Sequence, residues 1–162
     1  MYKRQCKYKS SYTYYGNFSN DIWNKDGKLY NENGIVYKGN FYRATFQGQG
    51  TMYFTTKAKY KGNFIKGEMD GKGTIFYADG RIYEGYFHKS EKQGKGLWKY
   101  TDGSMMESIY KNGEIDGKAI HIQRNIEGNN EYRMRIYQNG RLISQKMIKN
   151  KPSIKANCCM VF

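Results

Sequence analysis

The residues able to do chemistry in this chain are few, and the sharpest group lies at its end. Cys159-Met160-Val161-Phe162 has the form of a prenylation signal, with aliphatic Val161 and a terminal Phe that favours geranylgeranyl. Cys158 offers a place for a second lipid, and Lys146, Lys149, Lys151 and Lys155 supply a polybasic tail. Two such signals are what stable anchoring at an anionic membrane requires. Cys6, Cys158 and Cys159 make neither a disulfide framework nor a metal-ligand spacing, which fits a reducing compartment. His88 and His121 stand alone and read as strand or loop residues rather than general bases. Asp70-Gly71-Lys72-Gly73-Thr74 has a superficial likeness to a phosphate loop but lacks both the spacing and the following helix. A calcium loop fails as well, because Lys66 and Glu68 stand where Asp or Asn is wanted. The expectation is therefore no catalytic residue, no metal, no cofactor and no enzyme.

Charge points to binding instead. The 162 residues carry 28 basic and 14 acidic side chains, a net charge of +14. The excess collects at the ends. Lys3, Arg4, Lys7 and Lys9 lie in an acid-free first 20 residues, and Arg141 with the four tail lysines lies in an acid-free stretch from 141 to 162. Such ends meet acidic surfaces: anionic lipid, nucleic acid, or acidic protein segments such as tubulin tails. Nucleic acid is the weakest of these, because no base-reading module is visible. No apolar run of 18 residues spans a membrane and no secretory signal is present. The basic start, with Ser10, Ser11 and Thr13, leaves a mitochondrial presequence as an alternative to a cytoplasmic location.

The elements that position these groups come from a repeat. Tyr60-Lys61-Gly62-Asn63-Phe64 has counterparts 23 positions away on either side, Tyr37-Lys38-Gly39-Asn40-Phe41 and Tyr83-Glu84-Gly85-Tyr86-Phe87. The glycine pairs Gly48 and Gly50, Gly71 and Gly73, Gly94 and Gly96 keep the same step, as do the turns Asp79-Gly80 and Asp102-Gly103. Outward the pattern decays. Tyr14, Gly16 and Phe18 begin an earlier unit in which Lys25 replaces the first paired glycine. Met106, Ser108 and Tyr110 begin a later one in which Ala119 replaces the second. The second repeat, from Tyr37, reads Thr55-Thr56-Lys57 where its turn should be. A fixed period of this size marks stacked supersecondary units with atypical ends.

Alternation makes each unit a β-hairpin, with Tyr60, Gly62 and Phe64 on one face of one strand and Gly71, Gly73, Ile75 and Tyr77 on a second. Gly67-Glu68-Met69-Asp70 reads as the loop between them. The glycines leave room for an aromatic from a neighbouring strand. Aligned columns then follow: Phe41, Phe64 and Phe87; Met52, Ile75 and Trp98; Phe54, Tyr77 and Tyr100. These rings form the core, or partly a docking groove for a partner helix or peptide. Ile120 and Ile122 have the opposite parity to Ala119, so the last unit packs differently.

The chain resembles the MORN-repeat family, whose pattern is Tyr-x-Gly-x-Phe/Trp, then Gly-x-Gly, then an aromatic and Asp-Gly. The resemblance covers about five 23-residue repeats and implies an all-β fold, an elongated twisted single-layer antiparallel sheet of stacked hairpins. The expected organisation is a basic N-terminal arm (1–13), the repeat array (14–127), a capping hairpin turning at Asn139-Gly140 (128–143) and a basic tail (144–162). The resemblance further implies a non-catalytic scaffold within a larger protein assembly, at the ciliary axoneme or cytoskeleton, with homodimerisation open. Lys3, Arg4, Lys7 and Lys9, with Arg133, Arg135 and Arg141, are the expected partner-binding residues. The alternative is a peripheral membrane adaptor held by the polybasic tail and lipidated Cys159.

Overall fold

The structure, a computed structural model, describes residues 2–8 and 11–150, with the side chains of 5, 6 and 11–150. No helix occurs among the described residues. The strands are β1 (Tyr2–Tyr8), β2 (Tyr12–Ser19), β3 (Ile22–Asn31), β4 (Gly34–Tyr42), β5 (Thr45–Tyr53), β6 (Lys59–Ile65) and β7 (Glu68–Phe76). There follow β8 (Ile82–His88), β9 (Glu91–Lys99), β10 (Met105–Lys111), β11 (Glu114–Arg124), β12 (Asn130–Gln138) and β13 (Arg141–Ile148). They form one antiparallel sheet in simple chain order. Two compact units divide it. The first holds β1 to β7 with turn residues 88–90, and the second holds residues 79–87 with β9 to β13.

Turn chemistry sets the hairpins. At Asn20-Asp21, Arg43-Ala44, Lys66-Gly67, Lys89-Ser90, Asn112-Gly113 and Asn139-Gly140 both residues have positive φ. That is the two-residue turn whose twist matches the flanking strands. The expected loop at 67–70 is therefore wrong: the turn is Lys66-Gly67, and Met69 and Asp70 already belong to β7. The turns from Arg43-Ala44 onward are tied to the preceding hairpin. The Gly67 amide donates to the Phe46 carbonyl at 2.9 Å, and the Gly113 amide donates to the Lys92 carbonyl at 3.0 Å. Thr55-Thr56-Lys57 forms its turn without glycine, since Lys57 takes φ 62° where Gly80 and Gly103 take 87° and 80°.

The paired glycines divide their labour. Gly48, Gly71, Gly94 and Gly117, like Lys25 with φ 55°, are left-handed. Lys25, Gly48, Gly71 and Gly117 sit where the register of their hairpins shifts, as between Gly62 and Phe64 against Gly73 and Met69. The other glycines make room for rings. A Cβ on Gly62 would lie 2.8 Å from the Gly73 Cα, and one on Gly73 would enter the Tyr60 ring. For Gly73 that ring comes from the neighbouring strand as expected, for Gly62 from its own strand, so one ring covers the glycines of both strands.

In the first unit Tyr14, Tyr37 and Tyr60 are fully buried in this way, each over a glycine pair. Their hydroxyls donate to the carbonyls of Asn17, Asn40 and Asn63 at 2.9, 3.0 and 3.1 Å. Phe41 meets Tyr14 and Tyr37 edge-on, both at 5.1 Å, so each Phe locks two successive repeats. Offset and edge-on geometry adds about 1 kcal/mol per pair beyond burial. Burial pushes the Tyr14 and Tyr60 phenols up to about 12, and the Tyr37 phenol further still.

In the second unit Tyr83 repeats the arrangement over Gly85 and Gly96. Beyond it the core changes faces. Ile120 and Ile122 are buried among Met105, Ile109, Tyr132, Met134 and Ile148, on the opposite side of β11 from Ala119, as their parity predicts. The segment read as an N-terminal arm contributes β1, which pairs with β2 from Tyr2 opposite Phe18 to Tyr8 opposite Tyr12. The terminal hairpin turns at Asn139-Gly140, and β13 runs on to Ile148.

Candidate interaction surface

One column of the repeat contains Trp23, Phe46, Met69, Lys92 and Ile115, each 23 residues from the next. In the first unit this position caps the buried tyrosine. Trp23 stacks on Tyr14 at 4.5 Å, and Phe46 stacks on Tyr37 at 4.0 Å. In the second unit a cation takes the place. The Lys92 Nζ lies 4.7 Å from the Tyr83 ring centre, 4.5 Å from Trp98 and 5.6 Å from Tyr110. The indole N–H of Trp98 donates to the Tyr110 hydroxyl at 2.6 Å, which fixes two of these walls. Arg81 also lies over Trp98, 5.5 Å from its ring centre, and pairs with Asp79 at 2.7 Å. Burial, and then Arg81, hold the Lys92 ammonium below the usual lysine range. No carboxylate pairs with Lys92 among the described residues.

The register carries this face to the end of the unit. Gly96 stands opposite Ser108, Ser108 opposite Ala119, and Ala119 opposite Arg135. In the adjacent row Trp98 faces Met106, Met106 faces His121, and His121 faces Arg133. Directly opposite residues share a face, so Arg133 and Arg135 lie on the side that holds Lys92. The Arg135 Nε is buried and has no hydrogen-bond partner. Arg133 is exposed, and its Nε rests 3.5 Å from the Met147 sulfur. Burial first, then Arg135 and Arg133, lowers the pKa of His121.

The other expected binding residues lie elsewhere. Arg141 stands opposite Gln138 at the start of β13, on the reverse face from Leu142 and Tyr137. Lys146 and Lys149 are exposed. Lys3, Arg4 and Lys7 belong to β1 with side chains outside the description. Lys9, Lys151, Lys155, Cys158 and Cys159 lie outside the described residues. His88, the last residue of β8, is paired through Nδ1 with the Asp70 carboxylate of β7 at 3.0 Å. Among the described residues no three His, Cys, Asp or Glu side chains gather as a metal site.

Sequence reading missed Lys92, Arg81 and Trp98 as one group. The signal was present in the 23-residue column, where a lysine interrupts apolar residues.

Comparison with known proteins gives a family. The MORN repeat model matches residues 37–58, 60–80 and 83–105. No curated protein matches the chain. The unit from Tyr14 falls outside the match, yet its ring lies over Gly16 and Gly27 as Tyr60 lies over Gly62 and Gly73. MORN repeats are non-enzymatic modules for protein interaction or membrane binding. Residues 37–105 thus hold three consecutive MORN repeats, and the same hairpin geometry is kept beyond them.

Proposed function

We propose that the protein is a non-catalytic scaffold, a structural subunit of a larger protein assembly, with the ciliary axoneme or the cytoskeleton as its setting in the cytoplasm. The observation that carries this reading is the second unit's aromatic face. There a MORN array that elsewhere caps its tyrosines with apolar side chains presents Lys92, Arg133 and Arg135 instead. Cations held against rings and partly desolvated interact more strongly with an opposite charge than solvated lysines do. The net charge of +14 adds attraction to acidic protein surfaces over about one Debye length. The test is size fractionation of the tagged protein from gently lysed cells. It should elute with a mass far above its own 19.0 kDa, and neutralising Arg133, Arg135 and Arg141 together should return it to the monomer position.

The tail sequence favours a second reading, a peripheral membrane adaptor anchored by Lys146, Lys149, Lys151 and Lys155 with a prenylated Cys159. Cys159→Ser should then move the protein from the membrane fraction to the soluble one. An unchanged distribution rejects it.

A further inference from the structure

We infer that the cationic aromatic face of the second unit is a binding site for an extended acidic peptide, with Lys92 and Arg135 each receiving a carboxylate. The inference deepens the scaffold reading and rests on it for the partner's being a protein. Three observations carry it. Lys92 has rings on three sides and a like charge beside it, and Arg135 has a buried Nε without a hydrogen-bond partner. Each is a desolvated donor that an incoming carboxylate satisfies, and a buried unsatisfied donor is costly to leave unmade.

Spacing then selects the ligand. Lys92 belongs to β9 and Arg135 to β12, three strand spacings or about 14 Å across the sheet, and Lys92 also stands along β9 from Gly96, the residue in the Arg135 row. One compact anion does not bridge them. An extended chain advances about 3.3 Å per residue and turns alternate side chains to one side. Acidic residues four or six positions apart, about 13 to 20 Å along an extended chain, therefore reach both donors from the same face. Ser108 and Ala119 between them are small and buried, so no long side chain from these two positions stands between the donors. The chain's own residues 151–162 do not complement this face, because they hold Lys151 and Lys155 and no acid. Its charged surroundings are Arg81 with Asp79, His121 with Asp102, and Arg133. Cations outnumber acids there.

The test uses the purified full chain and a fluorescein-labelled nine-residue peptide of alternating glutamate and threonine, read by anisotropy. The matched glutamine-threonine peptide is the control. The glutamate peptide should bind, the glutamine one should not, and affinity should fall with added salt. Lys92→Met, which restores the residue type of Met69, and Arg135→Gln should each weaken binding at least fivefold while the circular dichroism of the sheet is kept. Trp98 emission should change on binding to the parent chain only. Equal binding of both peptides, unchanged binding by either folded variant, or preference at these residues for RNA or anionic lipid vesicles overturns the inference. A negative result here with a large native complex retained rejects this site and leaves the scaffold reading standing. Loss of the native complex rejects the scaffold reading itself.

Discussion

A single tyrosine over a glycine pair explains most of the order in each hairpin. The ring of Tyr60 occupies the space that side chains at Gly62 and Gly73 would need. Gly73→Ala should therefore destabilise the chain by about 3 kcal/mol through overpacking, read from urea unfolding. Gly103→Ala, where no atom crowds the added carbon, tests only the left-handed backbone and should cost less. Equal losses would mean that the ring does not set the glycine requirement. The same burial predicts alkaline sensitivity. The folded state raises the Tyr14 and Tyr60 phenols from 10.0 to about 12, so it favours their protonated forms. That contribution is complete below about pH 10 and is lost as pH rises from 10 towards 12. Phenolate absorbance should show a group of tyrosines that ionise only with loss of sheet circular dichroism. Titration of all 17 near pH 10 with the sheet intact would contradict it.

Hairpins are where sequence and structure part company. The 23-residue step, the aromatic columns and the reversed parity of Ile120 and Ile122 were legible, because alternation places side chains on faces irrespective of register. Turn positions were less so. Asp79-Gly80 and Asp102-Gly103 announce themselves, while Arg43-Ala44 and Lys89-Ser90 take left-handed conformations that neither residue prefers. Backbone bonds to the preceding hairpin hold them there, such as the Ser90 amide to the Met69 carbonyl at 2.9 Å, and such bonds have no local signature. Lys25 and Lys57 likewise occupy glycine positions at φ 55° and 62°. Lys25→Gly and Lys57→Gly should each stabilise the fold by about 1 kcal/mol, measured by thermal or urea unfolding. Destabilisation would mean that the lysine side chains hold these bends. The binding candidates were harder to read. Arg133 and Arg135 share a face as expected, but Lys92 joined them only once its ammonium was seen among three rings. Its significance lies in departing from its column, and a composition count hides that.

At the scale of the whole molecule, the array separates stability from recognition. Buried Tyr and Phe rings carry the packing, and the charge excess is left for surfaces. Interaction through such charges predicts a steep salt dependence of any complex. Under the proposed function, cationic faces hold this chain in an assembly as a subunit. The most direct measurement is the native size of the tagged chain in cell extracts at low and high salt, beside the variant in which Arg133, Arg135 and Arg141 are glutamine. A complex several times larger than 19.0 kDa is expected at low salt, dissociated by high salt and absent for the variant. A parent chain that elutes at its own mass at low salt, or a variant that stays in the complex, would contradict it.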